Sequence, residues 1–282
     1  MSIKIITDSA SDRIFGDNPD VSFLPLSVIF GDTEYLDGVN LSHEEFYEKL
    51  IETDQLPTTS QISPAKFEEA FQKVKEAGDV AIVITLSSKL SGTYQSAVIA
   101  AEDYEGCIYV VDSLNVTIGE QVLIDYALAL RDQGMDAPAI VEKLNQEKHN
   151  IHLIALLDTL EYLKKGGRIS AATAFAGTLL SMKPVISIQD GEVQLMGKAR
   201  GSKQGNNLLV QYIEKNGGVD FSRPYHLGYT GLTDELLQKY IKDSAALWEG
   251  KTDSLPIHSV GSTIGTHSGP GAIAVAFFGQ NV

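Results

Sequence analysis

VAIVITLSSKLSGTYQSAVIA, residues 80 to 100, is the stretch from which the fold is read. Val80 to Leu86 is an apolar, largely β-branched run without a charge, the pattern of a strand covered on both faces of a parallel sheet. The chain then changes character: Ser87, Ser88, Ser91 and Thr93 put four hydroxyls into seven residues, and Tyr94 to Ala97 open a helical pattern. In an open α/β sheet, ligands sit beyond the carboxyl ends of the strands, where helix N-termini aim unpaired N–H groups at anions. A small oxyanion or a carboxyl group is therefore the natural guest of this turn. For any one of these hydroxyls taken alone, a local N-cap is the commoner role.

Upstream, Ile3 to Thr7 reads as a second apolar strand, ending in the polar run Asp8, Ser9, Ala10, Ser11 and Asp12, so two polar turns of one sheet share a crevice. Phe23 to Phe30 and the segment after it read as extended chain turning at Gly31 and Asp32. Ser42 with Glu45 forms a capping box for a helix through Phe46 and Leu50. Pro57 to Pro64 reads as a loop in which Thr58, Thr59 and Ser60 are spare donors. Ser63 and Pro64 start a helix that buries Phe67, Phe71 and Val74 and ends at Gly78. Downstream come a strand at Ile108 to Val111 and helices at Val116 to Asp132 and Ala137 to Lys148. This alternation predicts a parallel, doubly wound layer, with a domain boundary at 149/150.

The second half, 150–282, reads as a mixed α/β domain. Ile151 to Leu157 is apolar, and a short helix over Thr159 to Lys165 is broken by Gly166 and Gly167. Residues 171–182, AATAFAGTLLSM, are nearly all apolar and small, so a helix there has no wet face and must be buried or face an apolar ligand. Val185 to Ile188 and Val193 to Met196 flank Asp190-Gly191, a hairpin signature. Helices at Lys203 to Glu214 and Asp234 to Leu247 alternate with strands at Tyr225 to Tyr229, Ile257 to Val260 and Ile273 to Phe278.

A chain of 282 residues exceeds what one core comfortably fills, which favours two domains. A net charge of −15 argues against a nucleic-acid binder, whose affinity rests on phosphate contacts. The lone Cys107 excludes an internal disulfide and fits a reducing cytoplasm. No run is apolar and long enough to span a bilayer, and the N-terminus lacks a secretory signal. Against the overall acidity, residues 164–203 hold seven basic residues and only Asp190 and Glu192 in opposition. Such a reversal suggests a surface for an anion or an acidic partner; Arg168 and Arg200, each beside a glycine, are its functional candidates, whereas Lys164 and Lys165 suit a helix C-terminus. His267 lies among glycines in a segment that reads as a loop, a common setting for functional residues. The other histidines show no metal-ligand spacing, so neither a metal nor a cofactor is expected. Walker and G-x-S-x-G signatures are missing.

Five blocks, TDSASD (7–12), TTSQISP (58–64), LSGTYQSA (90–97), YLKKGGRIS (162–170) and HSGPGA (267–272), resemble the DegV family of fatty-acid-binding proteins, binding subunits of bacterial fatty acid kinase. The resemblance implies a two-domain α/β protein with a long-chain fatty acid in a tunnel and its carboxyl at the domain interface. By match to the family's motifs, Thr59 and Ser91 bond the carboxyl, His267 joins them, and Ser60 and Gly92 are adjacent. A separate ATP-dependent kinase catalytic subunit would make the acyl phosphate, with Arg168 and Arg200 meeting the kinase or the new phosphate.

Hydroxyls and an imidazole hold a carboxyl without a fixed ion pair, leaving an oxygen free to react. At about 0.8 kcal/mol per buried CH₂, a sixteen-carbon tail offers on the order of 10 kcal/mol before the costs of binding. The apolar segment 171–182 is the candidate tunnel wall. The alternative reading is a stand-alone serine esterase or acyl hydrolase in which Ser91, His267 and Asp8 form a triad, which requires one base aimed at the nucleophile. The carrier reading expects no catalysis by the chain itself.

Overall fold

The structure, a computed structural model, describes residues 2–13, 18–53, 55–169 and 182–280. Its first half runs β1 (Ile3–Asp8), β2 (Val21–Leu24), β3 (Ser27–Phe30), β4 (Thr33–Leu36), α1 (His43–Glu52), β5 (Thr58–Ser60) and α2 (Pro64–Glu76). It continues through β6 (Val80–Thr85), α3 (Thr93–Ala101), β7 (Ile108–Asp112), α4 (Thr117–Asp132) and α5 (Ala137–Glu147). The second half runs β8 (Ile151–Leu156), α6 (Glu161–Lys165), β9 (Lys183–Gln189), β10 (Glu192–Ala199) and α7 (Gly201–Lys215). After these come β11 (Tyr225–Tyr229), α8 (Glu235–Asp243), α9 (Ala245–Trp248), β12 (Ile257–Ser259), α10 (Ser262–Ser268) and β13 (Ile273–Phe278).

The fold is mixed α/β. A four-stranded parallel sheet has the order β2-β1-β6-β7, so the strand order reverses beside β1. Every residue of β6 is buried, as its unbroken apolar run requires of a central strand. A separate six-stranded sheet, β10-β9-β8-β13-β11-β12, is antiparallel except where β12 joins β11 in parallel. Its two faces serve different cores, because alternate residues of a strand point to opposite sides. Ile154, Val185, Leu227, Val275 and Phe277 pack with Leu209, Ile213 and Tyr240 of the helices behind it. Leu153, Ala155, Ile186 and Ala274 face the first half and share its core. Helix α4 lies between the sheets, packing on β1 and β6 and on β8, β11 and β13. That position accounts for the burial of Ile118, Val122, Leu123 and Ile124.

Several expectations change. The segment Pro57 to Pro64 is not wholly loop, because Thr58–Ser60 forms β5, paired antiparallel with Ser27–Ile29 in a small third sheet. Ser42 and Glu45 form the capping box, and Ser63 is the N-cap of α2 with Pro64 opening the helix, although the Ser63 side chain makes no cap bond. The helix expected over Asp234 to Leu247 breaks at Ser244, whose hydroxyl donates to the Tyr240 carbonyl at 2.7 Å and accepts from Trp248 Nε1 at 3.0 Å. The hairpin turns at Asp190 (φ 48°) and Gly191 (φ 83°), as a two-residue turn of this hand demands. The apolar segment 171–182 falls, but for Met182, outside the described residues.

Candidate functional site

A cavity of about 320 Å³ lies between the carboxyl ends of β6 and β7 and the inner face of the six-stranded sheet. That is the size of a small-molecule pocket, and its place beyond the strand ends is the ordinary one for an α/β sheet. Its floor comes from Leu153 and Ala155 of β8, Ile186 and Ile188 of β9, and Ala274 of β13. Ala155 stands between Ile186 and Ala274 in the ladder, so two methyl side chains sit side by side where larger ones would fill the space. Leu26, Leu86, Leu90, Val116, Val260 and Ile264 line the opposing side.

One cluster of polar residues gathers around His267, while Thr117, Thr230, Thr263 and Ser268 also line the wall. Thr59, Ser60, Gln61, Ser91, Gly92, Arg168 and His267 all line the cavity. Thr59 is the partly buried middle residue of β5, between exposed Thr58 and Ser60, and its Oγ1 lies 2.9 Å from His267 Nε2. Ser91 Oγ accepts from the Thr93 N–H at 3.2 Å and contacts Thr93 Oγ1 at 3.0 Å, which fixes it at the start of α3. Gly92 is closely approached by Gln61: a Cβ there would come 2.0 Å from Gln61 Oε1, while Gln61 Nε2 donates to Ser96 Oγ at 3.0 Å.

His267 is not in a loop. It occupies the last turn of α10, which ends at Gly269 with φ 70°. The start of that helix is held by carboxylates from the far end of the chain. Asp37 Oδ1 accepts from the Ser262 N–H at 3.1 Å, Asp37 Oδ2 from the Thr263 N–H at 3.2 Å, and Asp12 Oδ1 from the Gly261 N–H at 2.8 Å. Burial, reinforced by the nearby Arg168 charge, pushes the His267 pKa down from 6.5 to about 4, so the ring is neutral at pH 7.

The neutral ring has two tautomers, and its surroundings choose between them. Nδ1 has no hydrogen-bond partner and faces Gly166, where a Cβ would sit only 2.2 Å away. A proton on Nδ1 would be a buried, unpaired donor, which costs more than an unpaired acceptor. The proton therefore belongs on Nε2, donating to Thr59 Oγ1 and leaving the threonine O–H free to point at a guest in the cavity.

Arg168 donates from Nε to the Leu90 carbonyl at 3.1 Å and from Nη1 to the Gly166 carbonyl at 2.6 Å. It pins the backbone beside Ser91 to the backbone beside His267, and brings a positive charge into the polar end that the reading of hydroxyls and imidazole alone did not include. Arg200 is exposed at the N-cap of α7, its N–H donating to Gln204 Oε1 at 2.7 Å, and is not part of the cavity lining. The two arginines therefore stand in different settings.

Sequence reading missed Gly166, Asp37 and Gln61. Ser87, one of the hydroxyls of the opening stretch, is spent on the Gly191 carbonyl at 2.8 Å, tying the second sheet's hairpin to the first sheet's turn. The hydrolase triad does not form: Ser91 bonds Thr93, His267 bonds Thr59, and Asp8 accepts from the Ala10 and Leu86 N–H groups at 3.0 and 2.8 Å. Burial lifts the Asp8 pKa to about 7. Among the described residues, no group of histidines, cysteine and carboxylates could hold a metal ion, and no helix is long and apolar enough to cross a membrane.

A family model described as "Uncharacterised protein, DegV family" matches residues 2–280. A DegV domain-containing protein of Caldanaerobacter subterraneus is 34% identical over 284 residues, covering 98% of each chain. Among solved structures, a DegV family protein from Thermus thermophilus described by its fatty acid binding superposes with a TM-score of 0.88 at 30% identity, covering 99% of this chain and 100% of that one. A stearic acid-binding protein from Eubacterium ventriosum superposes with a TM-score of 0.86 at 29% identity, covering 98% of this chain and 97% of that one.

Proposed function

The chain belongs to the DegV family, and from that premise we propose that it binds a long-chain fatty acid and presents the carboxyl group to a separate ATP-dependent kinase subunit in the cytoplasm. The observation that carries the reading is a largely apolar cavity in which the Thr59 and His267 pair, Ser91 and Arg168 form one polar cluster. The tail lies over Ala155, Ala274 and their isoleucine neighbours, where burial of each CH₂ contributes about 0.8 kcal/mol. The head lies against the Thr59 hydroxyl, oriented by His267, and against Ser91, with Ser60 and Gly92 beside it. Arg168, held by two carbonyls at this end, favours the ionised carboxylate through its charge.

Arg200 is the proposed contact for the kinase or for the newly made phosphate, since it is exposed and outside the cavity. The division between the two halves is proposed at 149/150, although the larger core draws residues from both. The chain itself has no catalytic role in this reading. Native mass spectrometry of freshly purified protein tests it: one long-chain acid per chain is expected, and Ser91→Ala should lower that occupancy. An empty wild-type protein that also fails to take up hexadecanoate after delipidation refutes the proposal.

A further inference from the structure

Thr263 lines the cavity one helical turn before His267, is 2% exposed, and its Oγ1 has no hydrogen-bond partner. The other hydroxyls of α10 are all engaged. Ser262 Oγ donates to Asp37, Thr266 Oγ1 to the Ser262 carbonyl at 2.8 Å, and Ser268 Oγ to the Ile264 carbonyl at 3.0 Å. Thr263 is only the second residue of the helix, so no helical carbonyl lies one turn before it to accept its proton. The nearby cavity threonines are committed as well: Thr117 Oγ1 donates to Asp12, and Thr230 Oγ1 accepts from the Ala272 N–H at 2.7 Å. Thr263 thus leaves a buried donor and acceptor unmatched in the cavity wall. Native proteins rarely leave such a group without a partner.

Resting on the fatty-acid reading above, we propose that Thr263 is a second polar contact point in the acyl cavity, selecting fatty acids that carry a hydroxyl group near the carboxyl end. A ligand hydroxyl both donates and accepts, which is what Thr263 lacks. Four residues of helix place Thr263 about 6 Å along the axis from His267, so the matching substituent lies close to the head group and not at the far end of the tail. A site built to bond a hydroxyl discriminates against the analogue that lacks it, because its own polar group is then left unpaired.

The test is calorimetric titration of delipidated full-length protein with hexadecanoate and with its 2-hydroxy, 3-hydroxy and 16-hydroxy derivatives. The 2- or 3-hydroxy acid should bind roughly fivefold or more tightly than hexadecanoate, and the 16-hydroxy acid should show no such gain. Thr263→Val should erase the ratio between hydroxylated and plain acid, and Thr263→Ser, which keeps the oxygen, should preserve it. The proposal is overturned if hexadecanoate binds as well as both proximal hydroxy acids, or if the ratio survives in Thr263→Val. Failure of all four acids to bind would overturn the fatty-acid reading as well.

Discussion

Gly166→Ala isolates the head-group site from the rest of the molecule. Gly166 has φ −75° and ψ −7°, a conformation alanine adopts without strain, so the whole effect comes from the added methyl. That methyl would lie 2.2 Å from His267 Nδ1 and 2.8 Å from Cε1. Comfortable contact needs about 3.5 Å, so the ring must retreat by roughly 1 Å. A displacement of that size, whether it compresses or lengthens the 2.9 Å contact to Thr59, takes it out of hydrogen-bonding geometry. Losing that bond costs about 1 kcal/mol, and leaving a buried partner unpaired costs up to about 3 kcal/mol. Fatty acid affinity should therefore fall between roughly fivefold and a hundredfold. The neighbouring Gly167→Ala is the control: its φ of 70° makes alanine costly to the fold, but a Cβ there meets nothing within 4 Å. Displacement of a fluorescent fatty acid from delipidated protein, alongside thermal melting, separates the two. Should Gly166→Ala bind lipid as tightly as wild type with an unchanged melt, the Thr59 and His267 pair does not hold the head group.

His267 should remain neutral from pH 7 down to about 5 and take up its proton near pH 4, against 6.5 for an unburied histidine. Because the unfolded chain binds that proton first, the histidine's contribution to stability falls as pH drops from 6.5 towards 4. Ring ¹⁵N shifts followed through the titration check this, and a midpoint near 6.5 would contradict the burial argument. Arg200→Ala should retain wild-type lipid occupancy by native mass spectrometry while, on the kinase reading proposed above, acyl phosphate formation with the separate kinase subunit falls. Loss of lipid from Arg200→Ala would move that arginine into the pocket.

What the sequence made legible was local. The unbroken run Val80 to Thr85 announces a central strand because nothing but burial on both faces explains six uncharged residues in succession. The Ser42 and Glu45 box and the Asp190-Gly191 turn are likewise decided within a few residues. The strand Thr58–Ser60 was not legible, since three polar residues carry no period and their pairing with Ser27–Ile29 is fixed across the fold. Helix α10 was hidden for the same reason. A seven-residue segment beginning beyond a glycine looks like a loop, and its N-terminal N–H groups are satisfied by Asp12 and Asp37, more than two hundred residues earlier in the chain.

That remote capping bears on how the site is assembled. His267 reaches Thr59 only because α10 is anchored at its start by Asp12 and Asp37, and because Tyr47 of α1 donates to the Val260 carbonyl at 2.9 Å just before it. Thr59 in turn sits on a strand whose partner, Val28, belongs to the same small sheet that leads into Asp37. Arg168 closes the remaining side by bonding Leu90 in the first half and Gly166 in the second. The polar end of the cavity is therefore a property of both halves together. Neither sheet alone carries a complete set of groups for a carboxyl, whereas the apolar floor of Ala155, Ile186 and Ala274 belongs to the second sheet alone. On the fatty-acid reading proposed above, loosening the contact between the halves would release the head group before it disturbed the tail's floor.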